Sequence, residues 1–266
     1  MNSPVISLQQ VTFGYRPGRP IFSGLDLQIH SGRFVGIIGP NGSGKTTLIR
    51  LLTGLARPQS GQVLLMDRPI QAYPPRALAA HLAVVPQGPV APPGFSVIET
   101  VLMARFGLSG MRVFLGKSDR QIAWEALRAA GVEDLGDRPL DQLSGGELQL
   151  VFLARAFAQQ SKVIILDEPT TYLDMYHQIR TYGLLKRSQT QHGKTVVVVT
   201  HDLNLAAWYC DMLIMLQSGQ PIVGAPDQVL TSQKIAEVFG VPTVCGYVGG
   251  QRVFVHTPGA RTGDYP

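Results

Sequence analysis

The chain has 266 residues, 45% of them hydrophobic and 15% charged, which supports one large α/β domain or a core with a smaller subdomain and excludes a disordered chain. A net charge of +5 without a dense Lys/Arg run fits a solvated surface with a small basic bias rather than a nucleic-acid patch. Two distant cysteines, Cys210 and Cys245, exclude a disulfide framework or cysteine metal cluster, and no apolar run approaches the ~20 residues that cross a bilayer.

The first residues, 1–6, lack the basic start and apolar run of a signal peptide. Alternating apolar positions predict strands at 5–11, 22–29 and 34–38, with Gly18 and Ser31-Gly32 as turns. The third strand enters a glycine-rich loop followed by helical spacing over 47–52. A strand at 62–66, a helix near 76–80 and a short strand at 83–85 come next. Residues 88–94, rich in proline and glycine, read as a linker. Helices are then predicted at 97–105, at 118–130 (Ile122, Trp124, Leu127 and Ala130 available to pack) and from Ser144 to about Gln160. Strands at 163–166 and 196–199 alternate with helices near 177–192 and from Leu203, so the sheet should be largely parallel and covered on both faces. After Gly246 the periodicity weakens to one possible strand at 252–256, and 258–266 reads as a frayed end.

The segment Gly39-Pro40-Asn41-Gly42-Ser43-Gly44-Lys45-Thr46-Thr47 fits G-x-x-x-x-G-K-[ST] in full, between a strand and a helix. Glycines let backbone N–H groups curl around phosphates, and the helix after Lys45 adds its positive dipole end. Lys45 is expected to reach the β- and γ-phosphates of ATP, and the Thr46 hydroxyl to ligate Mg²⁺.

The apolar strand at 163–166 ends in two carboxylates. Ligands of a parallel sheet bind beyond the carboxyl ends of its strands. Asp167 is therefore read as holding the Mg²⁺ shell, and Glu168 as the general base for the attacking water. His201 follows another apolar strand and should lie on the same sheet edge, near the γ-phosphate. Gln87, at the junction with the helical segment, carries no signal alone.

Ser144 and Glu147 of Leu143-Ser144-Gly145-Gly146-Glu147 form an S-x-x-E capping box, a sufficient local reason for the pattern. Two glycines at a helix start also expose N–H groups to an anion, and this second phosphate-binding surface makes sense against the γ-phosphate held by another copy. Here the sequence resembles the ATP-binding-cassette ATPases over roughly residues 5–240. Residues 143–147 look like the family signature, 84–87 like its Q-loop, 170–174 like its D-loop, and Thr200-His201-Asp202 like its switch histidine. Tyr15 falls where the family places an aromatic that stacks on adenine, worth ~1–3 kcal/mol with little base specificity.

The resemblance implies a P-loop NTPase core with a mostly parallel sheet, an N-terminal antiparallel β subdomain and an inserted helical subdomain. In this reading 1–245 is one ATPase domain, with core at 1–87 and 161–245, helical insertion at 88–160 and a tail at 246–266. It implies a head-to-tail homodimer in which each ATP lies between one P-loop and the partner copy's Ser144, Gly145 and Gly146. Asp174 joins the nucleotide-binding set, and Gln87 the catalytic and Mg²⁺-binding groups. Implied partners are a permease dimer at the cytoplasmic face of the membrane, contacted through residues 88–103, and indirectly a substrate-binding protein, with no nucleic acid. Leu148 departs from the polar residue common after the signature, and Thr171-Tyr172 from the frequent Ser-Ala. The run 168–174 with His177-Gln178, residues 200–206, Asp141-Gln142 and 238–241 resemble the subfamily that imports metal chelates (ferric siderophores, haem, cobalamin). The alternative is a transporter of the same family with another cargo, or an exporter.

Overall fold

The computed structural model describes residues 4–88, 90–106 and 115–256 of the chain. It opens with two strands, β1 (Pro4–Phe13) and β2 (Phe22–His30), followed by β3 (Phe34–Ile38), α1 (Lys45–Leu52), β4 (Ser60–Leu65), β5 (Arg68–Pro69), α2 (Pro75–His81) and β6 (Leu82–Val85). Three helices come next: α3 (Val97–Phe106), α4 (Lys117–Ala130) and α5 (Gly145–Ala158). The second half runs β7 (Val163–Asp167), α6 (Met175–His192), β8 (Thr195–Val199), α7 (Leu203–Tyr209), β9 (Met212–Gln217), β10 (Gln220–Gly224), α8 (Pro226–Val229), α9 (Ser232–Phe239), β11 (Thr243–Val248) and β12 (Gln251–His256).

The larger sheet has the order β10-β9-β3-β8-β7-β6, parallel from β9 to β6 with β10 antiparallel at the edge. A second, antiparallel sheet has the order β2-β1-β4-β5. This α/β architecture follows from the burial code of the strands. All residues of β3, β7 and β8 are buried, as helices on one face and a sheet on the other demand, whereas β2 alternates buried and exposed.

Successive residues of the parallel strands serve two different cores. Phe34, Ile38, Ile164, Leu166, Val196 and Val198 pack toward α3–α5 and α6. Val35, Ile37, Val163, Ile165, Val197 and Val199 pack toward α1 and the antiparallel sheet. Gly36 is required where β3 meets α7 and β9, since a Cβ there would lie 2.6 Å from Leu213 and 2.9 Å from the buried Cys210 thiol. Burial, with the Asp211 charge adding to it, pushes that thiol's pKa up, so Cys210 is a packed, unreactive residue.

The helical insertion is pinned by one buried ion pair. Arg105 Nε donates to Asp119 Oδ1 at 3.0 Å, and its Nη1 reaches the Ala158 carbonyl at 3.0 Å and Gln160 Oε1 at 3.1 Å. One guanidinium thus joins α3, α4 and the end of α5.

Trp124, expected to be available to pack, lies over Gly136, where a Cβ would come within 2.3 Å of the indole, and stays 37% exposed. The helical stripe of α4 passes through Ala123, Ala126, Leu127 and Ala130, one position off the tryptophan. The boundary drawn at 245/246 falls inside β11, which pairs with β12 as a hairpin that caps α7. Trp208 Nε1 donates to the Arg252 carbonyl at 2.7 Å, the Phe254 amide to Asn204 Oδ1 at 2.9 Å, and Phe254 is buried. Residues 258–266, read as frayed, lie outside the described residues.

Candidate functional site

Between β3 and α1 the phosphate loop takes positive φ at Gly39 (151°), Gly42 (80°) and Gly44 (102°), which only glycine adopts cheaply. Around Gly42 a Cβ would meet nothing within 4 Å, so the loop is open on that side, while Gly44 is closed in by the Phe22 ring at 2.9 Å. Gly44 is the N-cap of α1, with no side chain capping the helix. The first N–H groups of α1 are therefore left for an anion. Ser43 Oγ is buried without a hydrogen-bond partner. Lys45 folds back over the loop, its Nζ donating to the carbonyls of Gly39 and Pro40 at 2.8 and 2.9 Å. Burial lowers its pKa, against the pull of the nearby Glu168 and Asp167 charges.

A cleft of about 360 Å³ opens over this loop, lined by Asn41, Gly42, Lys45, Thr46, Gln87 and Glu168 among others. Three side chains converge on the Glu168 carboxylate from distant parts of the sequence. Gln87 Nε2 donates to Oε2 at 2.8 Å, the Thr171 hydroxyl lies 3.3 Å from the same oxygen, and His201 Nε2 faces Oε1 at 2.5 Å. Glu168 itself sits at φ 47°, an uncommon conformation for a non-glycine residue that turns its side chain off the end of β7. Asp167, the last residue of β7, is buried, and its pKa is raised by desolvation first and by Glu168 second. Thr46 and Gln87 line the cleft with Glu168, and Asp167 is near enough to Lys45 and Glu168 for their charges to act on it. Hydroxyl, carboxamide and carboxylate oxygens are donors of the kind a hard divalent cation takes.

Tyr15 lies at the outer end of the same half of the molecule. Its ring meets Phe13 edge-on at 5.1 Å, remains 56% exposed, and its hydroxyl accepts from Arg50 Nη1 at 2.8 Å. Arg50, on α1, carries no motif signal of its own.

The remaining expected residues are not brought to this cleft. Ser144, Gly145, Gly146 and Asp174 line a separate hollow of about 430 Å³ together with Tyr172 and His177. There the capping box is closed: the Ser144 amide and hydroxyl each lie 2.8 Å from Glu147 Oε2, and the Glu147 amide donates to Ser144 Oγ at 3.3 Å. Those bonds lower the Glu147 pKa. Asp174 caps α6, accepting from the His177 amide at 2.8 Å with its ring nitrogen at 2.7 Å. Sequence reading missed Thr171, Tyr172 and His177 as site residues. The only signal for Thr171 and Tyr172 was position within the D-loop-like run, and for His177 its place just after it.

Comparison with known proteins gives a consistent set of likenesses. Residues 22–171 match the ABC transporter family. The chain is 37% identical over 254 residues to the achromobactin transport ATP-binding protein of Dickeya dadantii, covering 95% of this chain and 93% of that protein. It is 41% identical over 232 residues to the hemin import ATP-binding protein of Pseudomonas aeruginosa (85% and 89% covered). Among solved structures it is similar to a chain of an inward-facing transporter described as of the metal-chelate ABC type, with a TM-score of 0.83 at 29% identity over 97% of this chain and 98% of that one. A dimeric ATP-binding cassette bound to ADP and Pi gives a TM-score of 0.76 at 31% identity, covering 83% of this chain and 98% of that one.

Proposed function

The chain belongs to the ATP-binding-cassette transporter family, and on that premise we propose that it is the ATPase subunit of an importer of metal chelates, acting as a dimer whose two ATP sites are shared between copies. As a member of this family it binds nucleotide and hydrolyses ATP. The cargo class rests on relatives named for achromobactin transport and hemin import.

The observation that carries the mechanism is the convergence of Gln87, Thr171 and His201 on Glu168 beside an uncapped helix start. The phosphate chain of ATP lies along residues 39–47, held by backbone N–H groups and by Lys45 once its amine leaves the carbonyls of Gly39 and Pro40. Thr46, Asp167 and Gln87 supply the oxygens that would hold Mg²⁺, which neutralises phosphate charge. Glu168 takes the proton from the attacking water. His201 orients that carboxylate and lies toward the γ-phosphate. Tyr15 offers its exposed ring to the adenine.

Ser144, Gly145 and Gly146 lie in a hollow that shares no lining residue with the P-loop cleft. Their α5 N–H groups serve the ATP bound by a second copy, so closure of the dimer completes two sites at once. Among the described residues no helix is long and apolar enough to cross a membrane. In this reading, which rests on relatives named for transport and import, the chain works on a membrane permease as a peripheral subunit, at the cytoplasmic face and with a substrate-binding protein upstream.

Chromosomal replacement by the Glu168→Gln variant tests the reading. Uptake of a ferric siderophore, hemin or cobalamin should stop while the protein still accumulates at the membrane. Unchanged uptake of all three would remove the cargo assignment.

A further inference from the structure

Two segments that leave the catalytic cleft side by side meet a second time outside it. Gln87 and Thr171 both bond to Glu168 inside. Their successors, Gly88 and Tyr172, meet at the surface. A Cβ on Gly88 would lie 3.3 Å from the Tyr172 hydroxyl and 3.6 Å from its ring. At its other end the tyrosine rests on the signature: a Cβ on Gly145 would lie 3.8 Å from Tyr172 Cβ and Cγ, and one on Gly146 only 3.1 Å from its carbonyl oxygen. The side chain spans from the start of α5 to the residue that opens the helical insertion, although it is 56% exposed. Its ring also walls the hollow that holds Ser144.

A residue with so much solvent exposure contributes little to the core, yet it touches two segments, the one that opens at Gly88 and the start of α5. We infer that Tyr172 is a positioning residue, a strut that fixes the signature end of α5 against Gly88 and so makes the signature's position depend on whether Gln87 holds Glu168. The inference rests on the shared-site dimer proposed above. In that dimer the signature serves the partner's ATP, and the strut carries the state of one site to the other. The contact favours a glycine at the Gly88 end, whereas a Cβ on Gly145 would make only ordinary van der Waals contact with the tyrosine. Gly88 has φ 55°, so a side chain there is strained as well as obstructed, and Gly145 offers the flat surface on which the ring lies.

The test is the ATP-concentration dependence of steady-state hydrolysis by the full-length chain. Wild type should give a sigmoidal curve with a Hill coefficient approaching two, the number of sites. Tyr172→Ala should bring that coefficient toward one and lower kcat by about tenfold or more through misplacement of the signature, with Mg²⁺-free ATP binding unchanged. Tyr172→Phe, which keeps the ring on Gly145, should restore the steep curve, and Gly88→Val, which drives the ring away, should copy Tyr172→Ala. A structural role alone would lower the melting temperature and leave the steepness intact. If wild type is steep and Tyr172→Ala is equally steep, the strut is wrong and the shared-site dimer stands. If wild type itself is hyperbolic and ATP never dimerises Glu168→Gln, both are overturned.

Discussion

Gln87 Nε2 donates to Glu168 Oε2 at 2.8 Å across 81 positions of sequence. The bond ties the residue that leads into the helical insertion to the strand end that carries Glu168, the proposed general base. Glu168 has no free oxygen while it lasts, because His201 faces the other one. Removing the amide should therefore affect turnover more than binding. Gln87→Leu is expected to lower kcat about tenfold or more with a small change in ATP affinity. Steady-state hydrolysis beside equilibrium ATP titration separates the two effects. A loss confined to affinity would contradict the role.

Glu168→Gln keeps the shape of that network but cannot accept a proton from water. Turnover should fall by ~10²–10⁴-fold, the usual worth of a general base. ATP binding should persist, and light scattering with ATP should report a long-lived dimer. Near-normal hydrolysis would remove Glu168 from its assigned role.

Asp167 yields a prediction about stability. Its carboxyl is buried and its pKa raised, first by desolvation. The folded state therefore binds a proton more tightly than the unfolded state does. Between the ordinary Asp value and the raised one, stability falls as pH rises, and above it the full cost of ionisation persists. Asp167→Asn should raise the melting temperature of the nucleotide-free chain at neutral pH, by about 2–4 °C for each kcal/mol relieved. The gap over wild type should widen as pH climbs through that interval and then stay constant. The same variant should lose any stabilisation by Mg²⁺ with ATP, a trade of function against stability. Thermal melts across pH, with and without Mg-ATP, provide the check.

Arg105 and Asp119 form a buried pair at 3.0 Å, with side chains only 14% and 11% exposed. Breaking it from one side strands the other charge in the helical insertion. Arg105→Ala should cost about 3–5 kcal/mol. Arg105→Met combined with Asp119→Leu should recover much of that loss, since no unpaired charge remains. Denaturant unfolding of the single and double variants decides it.

The parallel core was legible because its strands are apolar on both faces and short. The runs at 163–166 and 196–199 correspond to β7 and β8 within a residue or two. The phosphate loop and the capping box were legible because their chemistry is local, written in adjacent residues. The strand expected at 252–256 is present as β12, and what escaped was the stretch from β9 to β11. There β9, Met212–Gln217, is edged by the mixed β10, and β11 is exposed along much of its length. β10 and β11 bury few side chains and leave little periodicity to read, whereas β9 carries four buried apolar residues, Leu213–Leu216, in the same kind of run as β7 and β8 and could have been read the same way. Pairings such as Gln87 with Glu168 or Tyr172 with Gly88 depend on the tertiary fold and have no local trace.

If each ATP is held by two copies of the chain, two inactive variants should complement one another when mixed. Lys45→Ala lacks a working phosphate loop, and Ser144→Arg lacks a working signature. Each should be nearly inactive alone. Mixed in equal amounts, they should recover ATPase activity, because a heterodimer pairs the phosphate loop of the Ser144→Arg copy with the signature of the Lys45→Ala copy. A mixture no more active than either variant, or full activity of Ser144→Arg by itself, would contradict the account.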